Sequence, residues 1–176
     1  MGKGLKRSLA LGGTAQNHTV LKQTVRVNEA LEFTGSTGVA VDQTAVLEAG
    51  FPEGNIYVLG LMAQLAFDVS AGSANISDTW SGDIAIGTVA TADNDITTPA
   101  TNDDVLTSTT TGVASSEAIA ATDFSNVTPF ILDVTAGAVA LNLNMIVDAD
   151  DVTNATAATI TVIGDLTILY TVMSDD

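Results

Sequence analysis

Apolar and polar residues alternate most clearly in the last third of the chain. In AVALNLNMIVD (138–148) every second residue from Val139 to Val147 is apolar, and Asn142 and Asn144 fall between them. The stretch ATITVIGDLTILYTVM (158–173) repeats the pattern, with Gly164 on its apolar side. This period of two predicts two half-buried strands. A glycine inside a strand indicates either a bulge or a close approach of another backbone.

The longest apolar stretch, NIYVLGLMAQLAFDVS (55–70), alternates from Tyr57 to Val69. A buried helix is the competing interpretation, because Leu, Met, Ala and Gln all suit helices. The unbroken alternation and the flanking turns favour a buried strand. Its apolar side is expected to form the core or a contact between copies in an oligomer, through Tyr57, Leu59, Leu61, Leu65 and Phe67.

Several other stretches also have the alternation or the apolar runs of strands. The first of them, Thr19–Phe33, is expected to be interrupted near Asn28 and Glu29. The turn residues GSTG (35–38) separate it from the next. The remaining predicted strands are VAVDQTAVL (39–47), SGDIAIGTV (81–89) and TPFILDVT (128–135).

Residues 90–123 differ in composition from the rest, being rich in Thr, Ala, Ser and Asp. We expect a long excursion there with one or two short strands, and a helical turn at SSEAIAA (115–121). The whole chain then holds roughly seven to nine strands with little helix. This predicts an all-β fold, an antiparallel β-sandwich of jelly-roll type.

Charge is divided unevenly along the 176 residues. All five Lys and Arg residues lie in the first 26 positions, which contain no acid, and the remainder carries 21 Asp and Glu, giving a net charge of −16. Disorder is not expected, because 46% of residues are hydrophobic. The sequence therefore predicts a basic N-terminal arm (1–26) followed by an acidic β-sandwich domain (27–176).

The basic arm allows three interpretations. It could fold back onto its own acidic domain, bind nucleic acid, or reach an acidic neighbouring subunit in a homo-oligomer or shell. Nucleic acid is a poor partner for so negative a chain, because its phosphates would be repelled. We expect the third alternative, with partner contacts made by Lys3, Lys6, Arg7, Lys22 and Arg26.

The sequence offers little for catalysis or metal binding. The absence of cysteine excludes disulfides, thiolate catalysis and Cys-based zinc sites. No nucleophile, phosphate-loop or zinc-protease motif occurs, so neither enzymatic activity nor a cofactor is expected. Asp148, Asp150 and Asp151 are weak calcium candidates, and a solvated acidic loop is the favoured interpretation. The longest apolar run is too short for a membrane helix, so no membrane partner is expected.

Three stretches carry a resemblance to a known class of proteins. They are MGKGLKRSLALGGTAQNHTV, GNIYVLGLMAQLAFDVSAGSANISDTWSGDIAIGTVATAD and LNLNMIVDADDVT. With the small acidic β-sandwich, they resemble tailed-bacteriophage virion structural proteins, and among these the head decoration, or cement, proteins. The resemblance implies a non-enzymatic protein that binds the major capsid protein on the outer surface of the head. It also implies a homo-oligomer, most often a trimer.

Two alternatives remain open. One is a secreted or surface carbohydrate-binding or adhesin β-module, including a calcium-dependent one. The basic start lacks the apolar run of a secretion signal, which counts against it. The other is a tail or fibre subunit of a virion, which would be present in far fewer copies per particle than a decoration protein.

Overall fold

Alternating sequence and extended backbone coincide throughout most of the chain. The computed structural model describes residues 19–34, 40–52, 54–69, 76–91, 94–98, 100–115, 118–134, 139–152 and 158–173. Within them, the chain forms nine strands and one 3-10 turn at Ala100–Asn102. The strands are β1 (Leu21–Phe33), β2 (Val41–Leu47), β3 (Asn55–Val69), β4 (Ser81–Gly87), β5 (Leu106–Val113), β6 (Ala118–Asn126), β7 (Phe130–Asp133), β8 (Leu141–Val147) and β9 (Ala158–Met173).

The strands form two antiparallel sheets packed face to face, as the sequence predicts. The first sheet has the order β1-β9-β3-β6, with β7 also paired to β3, and the second has the order β2-β8-β4-β5. With β7 set aside, the chain forms four nested antiparallel pairs, in which early strands pair with late ones: β1 with β9, β2 with β8, β3 with β6, and β4 with β5. This is the jelly-roll arrangement of two Greek keys.

Strands β6 and β7 lie end to end along the same edge of β3. Asn126 at the end of β6 is opposite Leu61, and Phe130 at the start of β7 is opposite Val58. Pro129, between the two strands, has no N–H to donate to a ladder. The two strands therefore act as one edge strand with a break at residues 127–129.

A bulge at Leu59 changes which side of β3 faces the core. On β9, Tyr170 and Leu169 are consecutive, whereas their partners Val58 and Gly60 are separated by one extra residue. An extra residue in one strand reverses the alternation beyond it. The unbroken alternation predicted from Tyr57 onward is therefore wrong at this point: Ile56 and Val58 face inward before the bulge, and the odd-numbered residues do so from Leu61 onward.

The core lies between the two sheets and is built from alternate residues of both. Trp80, the only tryptophan, is fully buried, and its ring meets Phe67 edge-on at a centroid distance of 6.3 Å. Phe67 also meets Phe124 edge-on at 6.3 Å. Such edge-to-face pairs add about 0.5–1.5 kcal/mol each beyond burial of their area, so this cluster joins β3 and β6 to the start of β4.

Gly164 allows β9 to lie close between its neighbours β1 and β3. A Cβ at this position would stand 1.9 Å from the carbonyl oxygen of Gln64 on β3. Gly82 has the same role in the second sheet, where a Cβ would stand 2.1 Å from the carbonyl oxygen of Ile146. The predicted close backbone approach at Gly164 is confirmed.

Two details of the sequence prediction need correction. Strand β1 is continuous through Asn28 and Glu29, because both residues pair with β9. In the stretch predicted as a helical turn, 115–121, residues 118–121 are instead the start of β6, and residues 116–117 lie outside the described residues. Residue 26, the predicted end of the basic arm, lies within β1. The turn predicted at 35–38 lies outside the described residues.

Replacing Gly164 by Ala tests the close approach of β9 to β3. We expect Gly164→Ala to lower the free energy of unfolding by about 1–3 kcal/mol, because the added methyl group must displace backbone in the middle of a sheet. Urea unfolding followed by the fluorescence of Trp80 would measure this. Gly50→Ala is the matched control, with no atom within 4 Å of the added Cβ, and should change stability by less than about 0.5 kcal/mol. Equal stability of the two variants would contradict the packing described.

Candidate interaction surface

The middle of the outer face of the second sheet is covered by the chain's own excursion between β4 and β5, whereas Val46 on β2 is 58% exposed. The side-chain amide of Asn144, fully buried on β8, donates to the carbonyl oxygen of Val89 at 3.0 Å. Its Oδ1 accepts hydrogen bonds from the N–H of Thr91 at 3.0 Å and from the hydroxyl of Thr44 at 2.7 Å. Ile96 of the excursion is buried. Polar residues expected to face solvent are therefore enclosed here.

The outer face of the first sheet has no such cover among the described residues. We call it the open face: the outward side of β1-β9-β3-β6, centred on Met62, Gln64, Asp123, Ile163 and Asp165. Met62 is 61% exposed and Ile163 is 51% exposed. The two side chains lie on either side of the pair formed by Gln64 and Asp165, so they are separate exposed apolar residues on one face.

A polar row crosses the middle of the open face, with one residue from each of four strands. Arg26 Nε lies 3.8 Å from Asp165 Oδ1, and both side chains are largely exposed. Asp165 is opposite Gln64 on the next strand, and Gln64 Nε2 donates to Asp123 Oδ1 at 2.9 Å. A shallow depression of about 500 Å³ lies along this row, lined in part by Met62. The row therefore presents two carboxylates beside an apolar side chain.

The open face carries more acidic than basic side chains. The basic ones among the described residues are Lys22 and Arg26, both on the edge strand β1. The acidic ones are spread over four strands and the β7 extension, and all are exposed: Glu32, Asp68, Asp123, Asp133 and Asp165. A ligand that matches this face would bring positive charge and an apolar surface together.

The predicted partner-binding residues divide into two groups. Lys22 and Arg26 lie on the open face, as exposed residues of strand β1. Lys3, Lys6 and Arg7 lie outside the described residues. The contact of Arg26 with Asp165 is within its own domain, but at 86% exposure for the Arg26 side chain it contributes little to stability.

The apolar set predicted from β3 is also divided, in this case by the bulge. Leu61, Leu65 and Phe67 are buried between the sheets, where they belong to the core and are shielded from any partner. Tyr57 and Leu59 point to the outer side and are partly exposed. Sequence reasoning missed Met62 and Ile163. Ile163 stands out on a mostly polar parity of β9, whereas Met62 shares its parity of β3 with other apolar residues and is not marked by the sequence.

Two of the three weak calcium candidates, Asp148 and Asp151, accept hydrogen bonds from Ser81 at the start of β4. Asp148 Oδ2 accepts from the hydroxyl of Ser81 at 2.6 Å, and Asp151 Oδ2 accepts from the N–H of Ser81 at 2.7 Å. Asp150, between them, is exposed. Among the described residues, no three Asp, Glu or His side chains are grouped to hold a metal ion.

A further carboxylate in the covering excursion is used in the same structural way. Asp95 Oδ1 accepts from the hydroxyl and the N–H of Thr97 at 2.7 and 2.8 Å, and from the N–H of Thr98 at 3.1 Å. These hydrogen bonds from Thr97, with those from Thr98, lower the pKa of Asp95 below its usual value. The Asp95 carboxylate thus closes a turn.

Comparison with known proteins adds no relative. No protein-family model and no curated protein matches this sequence. None of the helical segments that the structure describes has the length and apolar character to span a membrane.

The Asp151 carboxylate can be tested as a structural group. We expect Asp151→Ala to lower the free energy of unfolding by about 1–3 kcal/mol, because the N–H and hydroxyl of Ser81 lose a charged acceptor. Asp150→Ala, which removes an exposed carboxylate one position away, should have little effect. Adding millimolar calcium should leave the melting temperature of the unaltered protein unchanged. A rise in melting temperature with calcium that Asp151→Ala abolishes would contradict the structural role.

Proposed function

We propose that this protein is a non-enzymatic structural component of a virion, a decoration protein that binds and stabilises the outside of the capsid shell. It acts as a homo-oligomer, a trimer in the simplest case, with the major capsid protein as its second partner. The sequence resemblance supports this proposal, and the fold is compatible with it, because jelly-roll domains are frequent in viral shells.

The observation that carries the proposal is the difference between the two outer faces. The middle of one is covered by the chain's own excursion, which bonds the buried amide of Asn144. The described residues provide no such cover for the other, where Met62 and Ile163 are exposed. A domain whose two outer faces differ in this way is suited to a lattice, where one face contacts other subunits and the other contacts solvent. Lectin domains also use the jelly roll, so the fold alone does not separate these classes.

Weak contacts are sufficient for this role. An exposed ion pair contributes about 0.2–1 kcal/mol, too little to hold an isolated copy on a shell. An oligomer that contacts several capsid subunits at once converts such terms into avidity of about 10²–10⁴-fold. The acidic domain with a basic N-terminal segment supplies both signs of charge for contacts of this kind.

Binding to shells tests the proposed function directly. Purified protein is mixed with shells assembled from the major capsid protein encoded in the same genome, and the sedimented fraction is analysed. We expect saturable binding in a fixed ratio to the shell subunit, and an oligomer in light scattering. Failure to sediment with shells, together with binding to a glycan panel, would replace the proposal by a carbohydrate-binding module. Binding at only a few copies per particle would indicate a tail or fibre subunit.

Charge reversal tests whether the basic residues mediate this binding. Replacing Lys3, Lys6, Arg7, Lys22 and Arg26 by Glu should abolish sedimentation with shells, because attraction to acidic neighbours becomes repulsion. The melting temperature should stay close to that of the unaltered protein, since Lys22 and Arg26 are exposed on the outer side of β1. Unchanged shell binding by the folded variant would contradict the proposed role of these basic residues.

A further inference from the structure

We infer that the open face receives the N-terminal segment, residues 1–18, of a neighbouring copy. The inference rests on the oligomer that the proposed function requires, and it names what covers the exposed side of the first sheet. Four observations support it: complementary charge, a fitting depression, the length of the segment, and the repulsion between acidic domains.

The segment and the face have opposite charge. Residues 1–18 contain Lys3, Lys6 and Arg7 and no acid, with Leu5 and Leu9 close by. The open face offers exposed carboxylates beside exposed apolar side chains. A segment that mixes basic and leucine residues can satisfy both parts of this surface at once.

The depression along the polar row suits a lysine side chain. Asp165 and Asp123 are two strands apart, so about 10 Å separates their backbones, with Gln64 between them. A lysine stem can lie along Met62 while its ammonium group reaches the carboxylates, as long basic side chains commonly do on apolar surfaces. Arg26 approaches Asp165 only to 3.8 Å, and Asp123 accepts a hydrogen bond from the neutral amide of Gln64, so neither carboxylate has a close cationic partner among the described residues.

The length of the segment allows it to reach a neighbouring copy. Strand β1 begins at Leu21, and Val20 just before it is 57% exposed and belongs to no strand. When extended, 18 residues reach about 60 Å, well beyond the width of the sheet.

Positive charge brought to the contact favours the association of two copies. The net charge of −16 produces a general repulsion between domains. The N-terminal segment holds three of the five basic residues and no acid, so its docking on a neighbouring copy reduces this repulsion locally.

Disulfide trapping can locate the segment, because the chain contains no cysteine. One population carries Leu5→Cys with a size tag, and a second carries Met62→Cys without it. The two are mixed in the absence of shells, at a concentration where light scattering detects the oligomer, and are then oxidised. A chain carrying both substitutions reports docking on its own face through an intramolecular disulfide. The control replaces Met62→Cys by Val89→Cys, which is also exposed but lies in the covering excursion on the opposite side of the domain.

We expect the mixed disulfide between position 5 of one copy and position 62 of another to form about tenfold more than that with position 89, since docking raises the local concentration of the pair. Equal yields at positions 62 and 89 would overturn the inference. An intramolecular disulfide without the mixed one would also overturn it, in favour of a segment that covers its own face. A protein that stays monomeric at all accessible concentrations would overturn it as well.

Neutralising the row tests the charge recognition separately. Asp123→Asn with Asp165→Asn, added to the Met62→Cys chain, should lower the yield of mixed disulfide about two- to tenfold. Asp78→Asn with Asp150→Asn changes net charge equally at exposed sites outside the open face, and should leave the yield unchanged. Equal effects of the two pairs would show only general electrostatics and overturn the assigned site.

The two proposals fail in different ways. If the mixed disulfide forms but the protein does not bind shells, the docking site stands and the decoration role falls. If the protein binds shells but the yields at positions 62 and 89 are equal, the decoration role stands and the docking site falls.

Discussion

Insertion of the last strand between the first and the third is the constraint on which the rest of the structure depends. Strand β9 pairs with β1 on one side and β3 on the other along nearly its whole length. Gly164 makes this possible, because any side chain there would collide with the backbone of β3. The polar row of the open face exists only because β9 brings Asp165 into register with Arg26 and Gln64. The open face is therefore present only when β9 is in place in the sheet.

The two sheets use their outward polar residues in opposite ways. On the second sheet, Asn144 is enclosed, and its amide satisfies backbone groups of the excursion that covers it. A buried amide is stable only when its hydrogen bonds are made, so this cover is built into the domain. On the first sheet, Gln64 and Asp123 bond each other at the surface and leave the neighbouring Met62 exposed. The two sheets therefore differ in the middle of their outer faces: one is covered by the chain's own excursion, and the other is exposed among the described residues.

Sequence pattern was sufficient for the parts of the fold that follow a strict period. The alternation in β9, and the glycine within it, predicted both the strand and the close approach of a neighbour. The reversal at Leu59 was not predicted, because apolar residues alternate along the sequence without a break through it; Gly60, a glycine inside the strand and next to the bulge, is the signal that marks it. The start of β6 looked helical since Ala and Ser are not strand formers, and only its place beside Phe67 makes it a strand. Burial of Asn144 also depends on a distant loop.

The candidate surface was predictable in part. Its charge follows from the sequence, since all basic residues precede position 27 and the acids follow. Its location does not, because Arg26, Asp165, Gln64 and Asp123 come from four strands far apart in the chain. Apolar residues on the solvent parity, above all Met62 and Ile163, are the signal that can be read in such sequences once the inward parity of each strand is known.

Oxidation of methionine tests most directly whether the open face is the contact surface of the assembled protein. Methionine oxidation follows exposure, and the native chain supplies both the probe, Met62, and an internal reference, the fully buried Met145. The rate of sulfoxide formation is measured by mass spectrometry in dilute protein and in the assembled oligomer, on or off a shell. The account predicts that Met62 reacts readily when dilute and becomes as resistant as Met145 on assembly. Equal reactivity of Met62 in both states would contradict it.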